Sequence, residues 1–178
     1  AAEALGELAA EAHGDIPRIR LRLARAFVRL ARRDEARRML RTIPVYARQY
    51  VDAQLLLADL AETPEATDNV LRKLSEDRPE LPEVVSRRMA LRMRQDAYEQ
   101  ALELYRAFLT RTPAQADLPS TLHHQAVQAM LAKDREQDAF ELARRLAVVS
   151  ANPRWRVLAA VLGGLVDVRA GRDLLPDL

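Results

Sequence analysis

Four arginines near the start of the chain have the spacing of one helix face. They are Arg18, Arg22, Arg25 and Arg29, at steps of four, three and four residues. A guanidinium group can donate two parallel hydrogen bonds to one carboxylate, so such a row of side chains is suited to holding an acidic peptide. The same row is also typical of a solvent-facing helix side that binds nothing.

The segment around these arginines is strongly basic. Residues 18–41 contain ten arginines and two acidic residues, whereas the whole chain carries only +2, so the remaining residues are acidic overall. Nucleic-acid phosphates would also attract such a cluster. However, Phe27 is the only aromatic residue in this segment and its position assigns it to the core, which leaves no base-stacking platform. We therefore expect a protein or peptide partner, an acidic one being the candidate, and no nucleic acid.

Other residue types that carry chemistry are scarce. The chain has no cysteine and three histidines, which excludes thiol chemistry and leaves no spacing typical of a metal site. Carboxylate pairs such as Glu99 and Glu103 have no converging His, Ser or Lys, and no phosphate-binding loop or nucleophile elbow occurs. We expect no enzymatic activity, no cofactor and no metal.

The elements that position the arginines are predicted to be helices. Helix-forming residues dominate, and Ile19, Leu23 and Phe27 recur at a helical spacing. The pattern predicts four helix pairs, over residues 16–44, 50–79, 82–113 and 118–151, and a terminal helix over residues 154–170. The prolines that close the pairs are Pro44, Pro79, Pro113 and Pro153, at intervals of 35, 34 and 40 residues. Such a period is typical of an array of stacked helix pairs.

Side chains at repeated positions resemble the tetratricopeptide repeat (TPR). In that repeat the first helix carries a large and then a small residue, and the second helix carries an alanine followed by bulky residues. The best matches are Leu23, Ala24, Phe27, Ala36, Leu40 and Ile43 in the first pair, and Ala101, Tyr105 and Phe108 in the third. The resemblance implies an all-α fold, a right-handed α-solenoid of antiparallel helix pairs forming one repeat domain over residues 1–178. First helices of the pairs would line a concave groove.

Alignment on this pattern implies which side chains face the groove. The groove-facing positions are Arg18, Leu21, Arg22, Arg25, Val28 and Arg29 in the first pair, and His124 and Gln128 in the fourth. There Leu21 and Val28 would add apolar contact to the arginines. Alternatively, His123 and His124 belong to an ordinary helix surface, and Trp155 is expected to be a packing anchor.

Residues 14–113 are further similar to the TPR region of bacterial co-chaperones that also contain a thioredoxin-like domain. The segments that carry this resemblance are LARRDEARRMLRTIP at 30–44, LLLADLAETPEATDNVLRKLSEDRP at 55–79 and YEQALELYRAFL at 98–109. The second of these includes a Thr-Pro helix start. The resemblance implies a cytoplasmic protein that holds unfolded clients or docks to a chaperonin.

A second hypothesis is a structural scaffold, one segment of a periplasmic or outer-membrane complex for polysaccharide or protein secretion. Residue 1 is not Met, residues 1–13 look helical and no signal peptide is evident, so we expect a fragment of a longer chain. The terminal helix either caps the array or begins a further repeat. No stretch is long and apolar enough to predict a membrane span. The sequence leaves the oligomeric state open.

Overall fold

The structure of the chain is a computed structural model that describes residues 16–112, 118–150 and 152–173, with side chains described up to residue 167. These ranges contain nine helices and no strand: α1 (Ile16–Arg29), α2 (Arg33–Arg41), α3 (Tyr50–Asp59), α4 (Pro64–Asp77), α5 (Pro82–Arg94), α6 (Tyr98–Arg111), α7 (Ser120–Leu131), α8 (Glu136–Val149) and α9 (Arg154–Asp173). The helix expected in residues 1–13 and the proline at position 113 lie outside the described residues.

Three of the helix pairs are joined by the same tight turn. Its central residue has a positive φ, of 58° at Ala31, 56° at Asp96 and 54° at Asp134. The next amide then reaches back to a carbonyl five residues earlier, as from Arg32 to Phe27 at 2.9 Å. This bond satisfies carbonyls that the end of a helix would otherwise leave unpaired. Aspartate adopts the left-handed conformation more readily than alanine does, so the backbone at Ala31 is more strained than at Asp96 or Asp134.

The start of α4 is fixed by two neighbouring residues of the Thr-Pro sequence. The hydroxyl oxygen of Thr63 accepts a hydrogen bond from the amide of Ala66 at 3.1 Å, and Pro64 is the first helical residue. A threonine cap followed by proline is favourable because the cap satisfies a free amide and proline has none to satisfy. The Thr-Pro start predicted from the sequence is therefore present.

Helices α1 to α4 form the first of two compact units, which ends at Pro79 and which we call unit 1. One buried cluster of its core consists of Leu21, Ala24, Ala36, Leu40, Ile43, Ala53, Leu57 and Leu60. Helix α1 contacts both α2 and α3, so it buries residues on more than one of its sides. Fully buried alanines at positions 24, 36 and 53 let neighbouring helices approach closely.

Helices α5 to α9 form unit 2, which begins at Glu80. Helix α7 contacts α5, α6 and α8, and α9 packs on α8. The buried core of unit 2 contains large aromatic side chains, including Tyr105, Phe108 and Trp155, whereas the buried cluster of unit 1 is aliphatic. A side chain at Gly163 would bring its Cβ within 3.2 Å of the Phe140 ring, so glycine there permits α9 to approach α8.

Candidate functional site

The four arginines of α1 lie on its exposed side, in unit 1. We call Arg18, Arg22, Arg25 and Arg29 the α1 arginine stripe; all four are exposed. Leu21 and Ala24 of the same helix are buried in the core. A row of exposed guanidinium groups on one helix face can present several forked donors to the same ligand.

The two apolar positions expected beside the stripe are placed differently. Leu21 is only 5% exposed and is part of the unit 1 core, so little of its surface can reach a ligand. Val28 is half-buried and packs against that same core. The burial of both residues follows from the packing of α1 against two helices, α2 and α3, which together cover more of its surface than one neighbour would. Leu21 therefore contributes to packing, and we do not include it in the candidate surface.

The stripe is partly neutralised by an aspartate from the next helix pair. The Nη2 atom of Arg25 lies 3.0 Å from the Oδ2 atom of Asp52 in the first turn of α3. Both side chains are more than half exposed, at 55% and 57%. An exposed ion pair of this kind contributes little to stability because water solvates both partners well. The carboxylate of Asp52 thus occupies one guanidinium of the stripe without fixing it strongly.

Other arginines of the basic segment serve the fold. Arg20 donates a hydrogen bond to the carbonyl of Thr42, at the end of α2, at 2.9 Å. Arg32 lies over the ring of Phe27, and Arg37 donates to Glu62 at 2.6 Å. The hydrogen bond from Arg37 lowers the pKa of the Glu62 carboxyl below its ordinary value. The basic segment therefore combines arginines that connect elements of unit 1 with the exposed stripe of α1.

The remaining predicted site residues lie in unit 2. His124 and Gln128 are exposed on α7, and the His124 ring is 5.2 Å from the ring of Trp155. His124 thus has an aromatic neighbour on one side. Because the α1 arginine stripe belongs to unit 1, each set of residues is a candidate surface of its own unit.

His123 is not a surface residue, so its interpretation as ordinary helix surface is wrong. It is 2% exposed, and its Nδ1 atom shares a hydrogen bond of 2.7 Å with the Tyr105 hydroxyl. Its ring also stands edge-on to Trp155, with 6.1 Å between the ring centres. The expected role of Trp155 as a packing anchor is confirmed by its burial, at 1% exposed. These three residues, which we call the ring cluster, join α6, α7 and α9.

Unit 2 also has a cavity of about 230 Å³ between α6 and α8. Its lining includes Arg106, Arg135 and Asp138. Arg135 pairs with Asp138 at 2.6 Å, and both arginines lie within 3.5 Å of Glu99. Since these charges already have partners inside the unit, the cavity is a weaker candidate for ligand binding than the α1 arginine stripe.

Metal-binding clusters and membrane-spanning helices are absent from the part of the chain that the structure describes. No three of its His, Asp or Glu side chains are grouped so that they could hold a metal ion. Within residues 16–112, 118–150 and 152–173, none of the helices has the length and apolar character needed to cross a membrane.

Solved structures similar to this chain include one described as a TPR protein. The MamA protein is 13% identical with a TM-score of 0.61, over 89% of this chain and 86% of that one. The MamA RS-1 ArsTM double mutant is 15% identical with a TM-score of 0.59, over 88% of each chain. TTC0263, described as a thermophilic TPR protein in Thermus thermophilus, is 15% identical with a TM-score of 0.56, over 89% of this chain and 86% of that one.

The chain has a tetratricopeptide-like fold. The prediction of an all-α fold of TPR-like helix pairs is thus confirmed. At these identities the likeness concerns the fold alone. Compared by sequence, this TPR-like chain matches no protein-family model and none of the curated proteins. The similarity to co-chaperones therefore stays a prediction. Stacked helix pairs form extended surfaces that are commonly used to bind other proteins.

Proposed function

We propose that this TPR-like chain is a protein-binding module and that the α1 arginine stripe binds an acidic segment of another protein. One observation carries the proposal: Arg18, Arg22, Arg25 and Arg29 share the exposed side of α1. Carboxylates of a bound peptide would accept forked hydrogen bonds from these side chains. The tetratricopeptide-like fold supports protein binding as the general class of function.

Asp52 competes with the proposed peptide for Arg25. Its carboxylate is bonded to Arg25 in the free protein, and a peptide carboxylate would have to replace it. Removing that competitor releases one forked donor without changing the number of arginines. We therefore expect Asp52→Asn to bind an acidic peptide several-fold more tightly than the wild type, whereas loss of a merely structural contact would not improve binding.

The first experiment measures peptide binding by fluorescence anisotropy. A labelled peptide rich in Asp and Glu and a neutral peptide of equal length are titrated with the protein at about 50 and about 300 mM salt. Replacing two stripe residues, Arg22→Glu with Arg29→Glu, should weaken binding of the acidic peptide by about tenfold or more. Higher salt should weaken it as well, because the charges at this surface are exposed to solvent.

The matched control changes two exposed arginines outside the stripe. Arg33 begins α2 and Arg48 lies before α3, so Arg33→Glu with Arg48→Glu alters net charge equally. A carboxylate at the start of α2 is also favourable to that helix. If the control weakens binding as much as the stripe variant, binding reflects net charge and the proposed site is wrong. Equal binding of the neutral peptide would contradict the proposal too.

The resemblance to co-chaperones supports a narrower version, in which the partner is an unfolded client or a chaperonin and the protein is cytoplasmic. This version predicts that the purified chain slows the aggregation of a chemically unfolded client. The stripe variant Arg22→Glu with Arg29→Glu should lose part of that effect. No suppression of aggregation, together with binding of the acidic peptide, would leave peptide binding standing and contradict the chaperone link.

A further inference from the structure

Helix α9 of unit 2 is apolar on two of its sides. On one side, Trp155, Leu158 and Leu162 pack into the unit 2 core. Along the neighbouring side, Val157, Val161 and Leu165 are 66%, 57% and 52% exposed. These three residues are four apart and form one continuous stripe. Large side chains exposed at every turn of one helix side are unusual for a surface that contacts only water.

Small residues make this stripe suited to close contact with another helix. Ala160 and Gly164 are exposed beside the three large side chains, and a Cβ added to Gly164 would meet nothing within 4 Å. Two helices pack closely where small residues on one leave room for large residues on the other. We call the five residues the α9 stripe: Val157, Ala160, Val161, Gly164 and Leu165.

Charges at the two ends of the stripe are opposite in sign and lie on the same flank. Arg156 and Asp167 are both exposed. They are eleven residues apart, which is about three turns and roughly 16 Å along the helix. Positions at this spacing return to nearly the same side of a helix. The midpoint between them falls beside Val161, which is also the middle of the α9 stripe.

We propose that the α9 stripe binds the α9 stripe of a second copy of this chain, in an antiparallel pair with a two-fold axis beside Val161. In that arrangement Val161 meets its own copy and Val157 meets Leu165 of the second copy. Arg156 of each copy then lies beside Asp167 of the other. A two-fold contact requires a surface that is complementary to itself, and this charge pattern satisfies the requirement at both ends.

The contact is expected to be weak. The stripe from Val157 to Leu165 is about 12 Å long, so a single pair of such helices buries less than the roughly 1,200 Å² typical of stable complexes. We therefore measure the molar mass of the full chain by analytical ultracentrifugation at protein concentrations from about 10 to about 500 μM. The mass should rise toward that of a dimer over this range.

One substitution tests the apolar centre. Val161→Arg places two like charges at the two-fold axis and should leave the chain monomeric at all of these concentrations. The side chain is more than half exposed and arginine favours helices, so the variant should fold normally by circular dichroism. Val45→Arg, the same change at an exposed valine in unit 1, is the control and should dimerise like the wild type.

Exchanging the end charges tests the direction of pairing. Arg156→Asp alone and Asp167→Arg alone should each dimerise less than the wild type, because two like-charged pairs face each other. An equal mixture of the two variants should recover a heterodimer, because opposite charges then face each other at both ends of the stripe. A chain that is monomeric throughout would overturn the proposal. The proposal would also be overturned if Val161→Arg abolished dimerisation but the mixture of Arg156→Asp with Asp167→Arg did not restore it. That result would favour contact of the α9 stripe with a helix other than α9 of the second copy.

Discussion

Both units pack apolar side chains and form surface ion pairs between their helix pairs, and the described part of unit 2 adds a cluster of buried rings. In unit 1, surface ion pairs connect the helix pairs, from the exposed Arg25 to Asp52 and from the half-buried Arg37 to Glu62. In unit 2, the buried rings of Tyr105, His123 and Trp155 join α6, α7 and α9. Exposed ion pairs exchange partners at little cost, whereas buried rings cannot move without opening a cavity. This difference is why we assign binding to unit 1 and regard the ring cluster as part of the fold.

The largest effect should come from breaking the ring cluster. Trp155→Ala removes the largest fully buried side chain described, so we expect a loss of about 3 to 5 kcal/mol in the free energy of unfolding. Urea denaturation followed by circular dichroism measures this loss. Val157→Ala, on the exposed side of the same helix, is the control and should change stability far less. Equal effects of the two substitutions would show that Trp155 does not anchor unit 2.

A smaller effect should come from the buried hydroxyl of unit 1. Tyr50 is buried and donates a hydrogen bond to the Asp77 carboxylate at 2.6 Å. Tyr50→Phe removes this bond, and we expect a loss of about 1 to 2 kcal/mol at neutral pH. Urea denaturation provides the measurement. An unchanged or higher stability would contradict the role assigned to this bond.

Tyr50 also predicts how stability depends on alkaline pH. Burial, together with the bond to Asp77, raises the pKa of Tyr50 from 10.0 to about 12. Burial likewise raises the pKa of Tyr105 to about 12. The pKa values of both tyrosines are raised in the folded state, so the unfolded chain loses these protons at a lower pH than the folded chain. The contribution of the two tyrosines to the free energy of unfolding is therefore complete below pH 10 and is lost as the pH rises toward 12. Tyr50→Phe should lose less stability than the wild type between about pH 9 and about pH 11. An equal loss would show that Tyr50 does not carry this dependence.

The smallest effect should come from the surface ion pair of Arg37 and Glu62, whose side chains are 23% and 70% exposed. Glu62 is largely exposed, and its contact with Arg37 connects α2 to the loop between α3 and α4. Exposed pairs contribute little to stability, so Glu62→Gln should shift the urea midpoint less than Tyr50→Phe does. A shift as large as that of Trp155→Ala would mean that surface charges hold unit 1 together, and the contrast between the two units would fail.

Helix positions were the part of the fold most open to prediction. Prolines such as Pro44 and the Thr63–Pro64 start mark helix boundaries by local chemistry, and apolar spacing marks the faces. The burial of individual side chains was harder to predict, because the position of a residue on one helix does not tell how many neighbouring helices cover it. Leu21 is buried since α1 contacts two helices, and His123 is buried since Tyr105 and Trp155 surround it.

The candidate surface was predictable only in part. Spacing alone placed the α1 arginine stripe on one helix face, as the structure has it. The competitor Asp52 follows Arg25 by 27 residues, and nothing local in the sequence joins the two. The one feature of the sequence that points to this contact is that Asp52 lies in the first turn of α3, the first helix of the second pair. A repeat alignment would have placed that residue beside α1.

The most direct test of the account maps an acidic peptide onto the protein by nuclear magnetic resonance. The peptide is added to isotope-labelled full chain, and the shift of every assigned backbone amide is measured. We predict that the largest changes fall in α1 and in the first turn of α3 around Asp52, and that α7 around His124 changes little. Largest changes in α7, or no changes at a peptide excess, would contradict the assignment of binding to the α1 arginine stripe.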